Sequence, residues 1–448
     1  MSGDDLECTN NPSERRGSLS MHSGEDLERS SSSFERRQSL SYSKRPIPVS
    51  VMPNRPACGA RNFVDLEPAI KMHAVARASQ GTHGEADIDR KVLLIYCGGT
   101  LGMHTDPVTG AFQANPGFVE HVVQSFPQFE NPKMPILSFT SFDPPLDSSD
   151  MQFEHYTALA TTVAENMDEY HGIVIAHGTD TMAWSASALS FSLENLRKPV
   201  VFTGAQLPLE IIRSDALTNL IDSCIVAAYS DVPEVMVVFD SNVFRGNRCT
   251  KSSCFGINGF SSYNYPRLGN AGTKVVVNPR RHLPMPTEPF SSKCNFHQGV
   301  VVLKLFPGVG RFLAGMLNDD NIRGVVLEAF GSGDAPSYDG VVDSLDRVCK
   351  AGVVVVVVTN CQEGHVILET YNAGLALKNA GATSGGDMTT EAAFTKLSWL
   401  LANEPNVDRV RALMSTDLRG EMSLLGTECP EGEAHTGGNP AFRHRVIF

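Results

Sequence analysis

Short apolar runs rich in β-branched residues recur along this chain, and each is followed by glycine or a polar turn. Between residues 89 and 280 such runs lie at 92–95, 173–176, 200–203 and 235–239. The stretches 154–167 and 183–196 between them have the apolar spacing of helices. Because strands and helices alternate, the pattern predicts a parallel sheet that is covered by helices.

The same pattern begins again after a stretch rich in proline and basic residues at 278–286. Further apolar runs lie at 300–305, 324–327 and 353–359, separated by helix-like segments. We therefore predict an α/β fold with a larger N-terminal domain at 89–280, built on a doubly wound, mainly parallel sheet. A linker at 281–297 and a smaller C-terminal α/β domain at 298–425 complete the predicted organisation.

Both ends of the chain lack a sustained apolar pattern, so we predict a disordered tail at 1–88 and a flexible tail at 426–448. The first tail contains two copies of the pattern Arg-Arg-x-Ser, which end at Ser18 and Ser39. This pattern resembles the site preferred by basophilic kinases, so both serines are candidate phosphosites. The alternative is a solvated tail in which the basic pairs occur by chance.

The overall composition favours a small-molecule partner. A formal charge of -13, from 37 basic and 50 acidic residues, argues against binding to nucleic acid or to an anionic membrane. The ten cysteines are scattered without paired C-x-x-C units, which is typical of reduced thiols in the cytoplasm. The polar N-terminus predicts no secretory signal, and the longest apolar run is too short to span a bilayer.

Two threonine motifs follow the first two apolar runs. Thr100 lies in Gly-Gly-Thr-Leu-Gly-Met at 98–103, and Thr179 lies in His-Gly-Thr-Asp-Thr-Met at 177–182. Both threonines should therefore stand at the carboxyl ends of parallel strands, where open α/β sheets bind their ligands. Two hydroxyls at one edge, the second followed directly by Asp180, indicate a nucleophile site.

A threonine hydroxyl is a poor nucleophile until another group takes its proton. Thr179, Asp180 and Lys251 together offer a hydroxyl, a carboxylate and an amine, which suit such a relay. An amine that is shielded from water can act as the base while the carboxylate orients it. Asp180 and Lys251 could instead form a buried structural ion pair. His177 is a second candidate base that we interpret as structural, and the glycines at 98–102 lack the pattern of a nucleotide-binding loop.

Six motifs in family order, spread over residues 89–425, resemble the L-asparaginase family and in particular its cytosolic type I branch. They lie at 98–103, 147–151, 177–182, 245–251, 386–389 and 417–421. The resemblance implies an asparaginase-like fold that hydrolyses L-asparagine to L-aspartate and ammonia without a metal or cofactor. It also implies assembly as a homodimer or as a dimer of dimers.

The resemblance assigns roles to the site residues. Thr100 is the attacking hydroxyl, and Thr179, Asp180 and Lys251 activate and position it. Which threonine attacks stays open, because the family's arrangement is nearly symmetrical about the scissile amide. Asp147, Ser148 and Ser149, with Thr179 and Asp180, are expected to hold the α-amino and α-carboxylate groups of the substrate. The three loop residues alone equally suit a turn closed by its own side chains.

One departure from the family pattern leaves other functions open. The loop at 104–118 contains no tyrosine to bond the nucleophile, and Ala111 and Phe112 occupy the corresponding positions. Another group must then activate Thr100, or turnover is slow. A slow amino-acid sensor or scaffold is therefore one alternative function. A lysophospholipase is another, because animal proteins that resemble this chain carry that label.

The second departure concerns regulation. Around Thr359, Asn360 and Cys361 the chain resembles the bacterial type I enzyme, which binds asparagine there as an effector with help from an arginine. Glu328 stands at the arginine's position, and its carboxylate would repel that of the effector. We therefore expect a hyperbolic dependence of rate on asparagine concentration. A sigmoidal curve that substitution of Cys361 abolishes would contradict this prediction.

Overall fold

Two sheets organise the part of the chain that the structure, a computed structural model, describes. The described residues are 71–73, 90–106, 108–110, 112–114, 117–338, 340–423 and 445–446. The candidate phosphosites Ser18 and Ser39 lie outside them, as does almost all of both predicted tails.

Most of the described strands are short. In chain order they are β1 (Lys71–His73), β2 (Lys91–Tyr96), β3 (Met103–Thr105), β4 (Phe112–Ala114), β5 (Ile136–Ser141), β6 (Gly172–Ala176), β7 (Leu193–Glu194), β8 (Val200–Thr203), β9 (Val235–Phe239), β10 (Asn242–Arg245), β11 (Thr250–Lys251), β12 (Phe260–Ser261), β13 (Gly269–Ala271), β14 (Val275–Val277), β15 (Ser291–Ser292), β16 (Val300–Lys304), β17 (Gly324–Ala329), β18 (Val354–Thr359), β19 (Thr383–Ser384) and β20 (Arg445–Val446).

Helices connect and cover these strands. Among the described residues they are α1 (Phe118–Ser125), α2 (Phe153–Asn166), α3 (Met182–Ser192), α4 (Ala216–Tyr229), α5 (Gly310–Met316), α6 (Val341–Lys350), α7 (Asn372–Asn379), α8 (Thr390–Asn403) and α9 (Val407–Met414). None of these helices combines the length and the apolar composition needed to cross a lipid bilayer.

The larger sheet contains a parallel centre in the order β5-β2-β6-β8-β9. The chain passes from β2 to β5 on one side, and then crosses to β6 on the other side of β2. The direction of connection therefore reverses at β2, and the carboxyl ends of β2 and β6 flank the reversal. Ligands of open α/β sheets bind at such a switch point.

Both faces of this parallel centre are buried. Leu94 of β2 packs in one apolar layer with Leu220 of α4, whereas Ile95 packs in the opposite layer with Leu159 of α2. Successive strand side chains point to opposite faces, so a strand covered on both sides needs apolar residues at every position. This requirement explains the uninterrupted apolar runs in the sequence.

The second sheet is parallel throughout, in the order β16-β17-β18-β19. One face packs on α6 through Leu345, and the other packs on α8 through Leu397. Phe191 of α3 joins that second layer. The predicted fold class is confirmed, with a large sheet built on a parallel centre and followed by a smaller α/β part. The domain boundaries stay predictions.

The antiparallel half of the larger sheet is not evident from the sequence. Beyond β9 the order continues β10-β13-β14-β20, with antiparallel pairing throughout, and β1 is antiparallel to β5 at the other edge. The strands β1 and β20 lie in segments for which the sequence predicts no structure. They join the sheet by edge pairing of the backbone, which needs no apolar pattern.

The helix predicted to run to residue 196 ends earlier. It ends at Ser192 because the next two residues form β7, which pairs with β15 inside the predicted linker. The strands predicted at 200–203 and 235–239 agree with β8 and β9.

Candidate active site

Two glycines let the loop after β2 approach the loop after β6. Gly98 and Gly99 have φ angles of 125° and 84°, which favour glycine. A Cβ atom on Gly99 would lie 2.3 Å from the Cα of Gly178, and one on Gly178 would lie 2.5 Å from the Ser148 Oγ. Thr100 and Thr179 each follow one of these glycines. The close approach therefore brings the two threonine motifs to one edge of the sheet, as the sequence predicts.

The loop at 146–149 lies against the same place. The Leu146 N–H donates to the carbonyl of Cys97 at 2.7 Å, and the Thr181 hydroxyl donates to the Ser148 carbonyl at 2.6 Å. Asp147 Oδ1 accepts bonds from the N–H and the hydroxyl of Ser149, both at 2.9 Å. The turn closed by its own side chains is therefore present. It exposes Asp147 and Ser149 beside the threonines and buries Ser148.

Lys251 connects with the second motif. Its ammonium donates to the Thr179 hydroxyl at 2.7 Å and lies 2.6 Å from Asp180 Oδ1. The Lys251 side chain is 18% exposed and that of Asp180 is 63% exposed, so this is not the buried ion pair considered as an alternative. Thr179 instead has the Lys251 ammonium as its partner, and the exposed Asp180 carboxylate orients that ammonium.

Thr100 is arranged differently. It begins a short 3-10 turn and is only half-buried, and no side chain within the described residues hydrogen-bonds its hydroxyl. The hairpin of β3 and β4 follows, and Glu210 bonds it through the N–H of Thr105 at 2.8 Å and through the Thr105 hydroxyl. Phe112 is 48% exposed on this hairpin, while Ala111 lies outside the described residues.

His177 is buried and has a partner at each ring nitrogen. Nδ1 lies 2.7 Å from the Gly178 carbonyl oxygen, and Nε2 lies 2.9 Å from the Ser185 hydroxyl. Burial lowers the pKa of His177 to about 4, against the opposing effect of the bond to Gly178. A neutral ring with both nitrogens engaged supports the loop instead of exchanging protons with a ligand.

The candidate effector residues lie together at the carboxyl ends of β17 and β18. Glu328 accepts from the Thr390 hydroxyl at 2.8 Å and lies 3.2 Å from the Lys304 ammonium. The Thr359 hydroxyl accepts the N–H of Cys361 at 3.0 Å, and the Cys361 thiol lies 3.6 Å from Asn360 Oδ1. Lys304 therefore offsets part of the negative charge that the sequence places here.

The motifs at 386–389 and 417–421 hold the segment that carries Lys251. Arg248 donates two bonds of 2.9 Å to the Asp387 carboxylate, and a third of 2.8 Å to the Glu421 carbonyl. Although burial acts to raise it, the bonds and charge of Arg248 lower the pKa of Asp387 overall. Sequence reasoning missed this supporting role, since it requires contacts between distant segments.

Comparison with known proteins shows the family of this chain. A family model described as "Asparaginase, N-terminal" matches residues 91–283, and one described as "Glutaminase/Asparaginase C-terminal domain" matches residues 299–414. L-asparaginase 1 of Escherichia coli (strain K12) is 37% identical over 344 residues, which are 75% of this chain and 98% of that protein.

Two further similarities extend the comparison. The crystal structure of L-asparaginase I from Vibrio cholerae O1 biovar eltor is 38% identical, covers 75% of this chain and 100% of its own, and gives a TM-score of 0.69. The 60 kDa lysophospholipase of Homo sapiens is 35% identical over 363 residues. That match includes 76% of this chain but 63% of the human protein, so the two are similar over only part of the latter.

The burial of His177 predicts that stability depends on pH. Its pKa is about 4 in the folded chain, whereas an unfolded histidine has a pKa of roughly 6.5. Below that value the unfolded state binds a proton that the folded state does not. The stabilisation is therefore complete above roughly pH 6.5 and is lost as the pH falls toward the folded value. At pH 5 we expect a loss of about 2 kcal/mol relative to pH 7.

Urea denaturation at the two pH values measures this loss. His177→Gln keeps polar atoms at the site but does not titrate, so it should lose about 2 kcal/mol less than the wild type between pH 7 and pH 5. Equal losses in the two proteins would show that His177 is not held neutral.

Proposed function

The chain belongs to the asparaginase family of amidohydrolases, and on that premise we propose that it hydrolyses L-asparagine to L-aspartate and ammonia. The observation that carries the proposal is the contact of one amine with both a threonine and a carboxylate. Lys251 lies 2.7 Å from the Thr179 hydroxyl and 2.6 Å from Asp180, at the switch point of the sheet. This group can hold and move the proton that amide hydrolysis requires.

In the proposed reaction the Thr100 oxygen attacks the side-chain carboxamide carbon. The bond from that carbon to nitrogen then breaks, and ammonia leaves with the proton that the hydroxyl gives up. Water hydrolyses the resulting aspartyl ester and returns a proton to the threonine. Thr100 is only half-buried and has no side-chain partner among the described residues, which supports this role because the hydroxyl is free to bond a substrate.

The loop at 147–149 supports recognition of the two charged ends of the substrate. The Asp147 carboxylate is exposed beside the motifs and suits the α-ammonium group. The hydroxyl of Ser148, and that of Ser149 once it turns from Asp147, suit the α-carboxylate. One carboxylate oxygen of Asp147 accepts the two hydrogen bonds from Ser149. Its second oxygen has no hydrogen-bond partner within the described residues.

The oligomeric state and the cellular location also belong to the proposal. The family resemblance supports a homodimer or homotetramer, and the scattered cysteines of the sequence support the cytoplasm. The lysophospholipase alternative depends on the name of the human relative, of which 63% is matched. The asparaginase proposal has the fuller support, because the match to the bacterial L-asparaginase includes 98% of that protein.

Valine substitutions test the two threonines separately. Thr100→Val and Thr179→Val keep the shape of the side chain and remove the hydroxyl. Each should lower the release of ammonia from asparagine by at least about a hundredfold, because each removes a group that acts only during the reaction. Mass analysis of peptides from enzyme quenched during turnover identifies which threonine carries the aspartyl ester.

Thr162→Val is the matched control, because its hydroxyl bonds within α2 to the Ala158 carbonyl. Its turnover should equal that of the wild type. If neither active-site variant lowered turnover more than about tenfold, roughly 1.4 kcal/mol of barrier, the nucleophile assignment would be wrong. Fatty-acid release from a lysophospholipid, with no ammonia release from asparagine, would favour the alternative function. Retained asparagine binding without turnover would favour an amino-acid sensor.

We further propose that a basophilic kinase phosphorylates Ser18 and Ser39, which are the serines of the repeated Arg-Arg-x-Ser pattern. Intact-mass analysis of protein from its native cell should reveal up to two added phosphates. Ser18→Ala and Ser39→Ala should each remove one of them. A chain without phosphate would refute the proposal.

A further inference from the structure

The strand that carries Lys251 has little support of its own. β11 consists of Thr250 and Lys251, and within the described residues it pairs only with the equally short β12. The ammonium stands at the end of a flexible four-carbon side chain, so its position depends on where the backbone is held. Two paired residues are too few to fix that backbone.

Contacts from the C-terminal half of the chain supply the missing support. The Asn247 amide donates to the Arg419 carbonyl at 3.1 Å, and Arg248 is bound to Asp387 as described above. The contact nearest to Lys251 is a hydrogen bond of 2.5 Å from the Thr250 hydroxyl to Glu391 Oε1. It joins residues that are 141 positions apart in the chain.

Glu391 is held in place by its own helix, independently of Thr250. It lies in the first turn of α8, a helix whose N-cap residue Thr389 accepts the Ala392 N–H at 3.1 Å. A carboxylate is favoured near a helix N-terminus. The side chain is buried, with 8% of the residue exposed, so it does not move freely toward solvent. Thr250 is thus tied to a rigid element that packs on the second sheet.

Burial of this carboxyl group works against the stability of the fold. Within the described residues Glu391 has no cationic partner. Burial, the largest influence, raises the pKa of Glu391, whereas the bond from Thr250 acts to lower it. A buried carboxyl without a cation is costly, and an apolar residue of similar size often stabilises such a position. An apolar residue could replace neither the bond to Thr389 at the cap of α8 nor the bond to Thr250, and only the second of these reaches the neighbour of Lys251.

We propose that Glu391 is a positioning residue which, through Thr250, holds Lys251 where it can serve Thr179. The inference rests on the proposed function, since it assigns a role toward the same proton-transfer group. Glu391 is not expected to touch the substrate. Its effect passes through the backbone of a two-residue strand.

Loss of the bond should therefore lower the rate of the chemical step more than substrate binding. Small displacements of a catalytic group can cost about a hundredfold in rate. For Thr250→Val, which keeps the shape and removes the donor, we expect kcat to fall roughly 10-fold to 100-fold while KM changes less than about threefold. Thr250→Ser keeps a hydroxyl and should restore most of the lost rate.

Variants at position 391 make the same comparison from the other side of the bond. Glu391→Gln keeps an oxygen that can accept from Thr250, so its kcat should stay near that of the wild type. Glu391→Met has no such acceptor and should match Thr250→Val. This pair keeps the test decisive if Thr250→Val does not fold. Thr395→Val is the control for a purely structural effect, because its buried hydroxyl bonds within α8 to the Glu391 carbonyl at 2.8 Å.

A double-mutant cycle distinguishes positioning from general destabilisation. In a Lys251→Met background, Thr250→Val should not lower the residual turnover further, because the group that it positions is already gone. A further loss equal to that in the wild type would overturn the inference. So would a Thr250→Val or Glu391→Met enzyme with wild-type kcat per folded molecule, while the proposed function would stand. A wild-type chain that releases no ammonia from asparagine would overturn both.

Discussion

The close contact of Gly99 with Gly178 is the constraint on which the site depends. Two parallel strands separated by one ladder spacing end in loops whose backbones touch. A side chain at Gly99 would clash with the backbone of Gly178, whereas one at Gly178 would clash with Ser148 of the third loop. Because each threonine follows its glycine directly, the contact also sets the separation of the two threonine hydroxyls, which stand on opposite walls of the pocket. The third loop closes on the same place through Leu146 and Ser148. The pocket is therefore defined mainly by backbone packing.

Lys251, which supplies the amine, comes from a different part of the fold. Buried ion pairs hold the segment that carries it. Arg245 and Glu234 form a buried pair at 2.6 Å, and Lys396 and Glu421 form another at 2.5 Å with no exposure of either side chain. Such pairs contribute little net stability, but they tolerate few alternative arrangements. In this chain they fix the segment before Lys251, and the segment 417–421 that holds it, relative to the two sheets.

The sequence predicts the parts of this architecture that depend on local pattern. The strands at 200–203 and 235–239 and the switch-point location of Thr100 and Thr179 follow from residue types and their order. The grouping of Lys251 with Asp180 comes from the resemblance to the asparaginase family. The antiparallel strands β13 and β14 could not be predicted, because three residues are too few for a recognisable period. The contact of Glu391 with Thr250 could not be predicted from the sequence for another reason. An acidic residue in the first turn of a helix usually faces solvent, and only the tertiary fold brings Thr250 to it.

The absence of a tyrosine from the loop after Thr100 is easier to understand in this geometry. Lys251 serves Thr179 on one wall, while the hydroxyl of Thr100 stands on the other wall without a side-chain partner among the described residues. On the proposed reaction, an amide bound between the walls presents its carbon to Thr100 and its nitrogen to the wall of Thr179. The amide nitrogen is a poor leaving group until it gains a proton, so the relay is best placed to pass to it the proton that Thr100 gives up. Attack by Thr100 then depends on how closely the substrate is held, because proximity alone can supply several kcal/mol of the barrier.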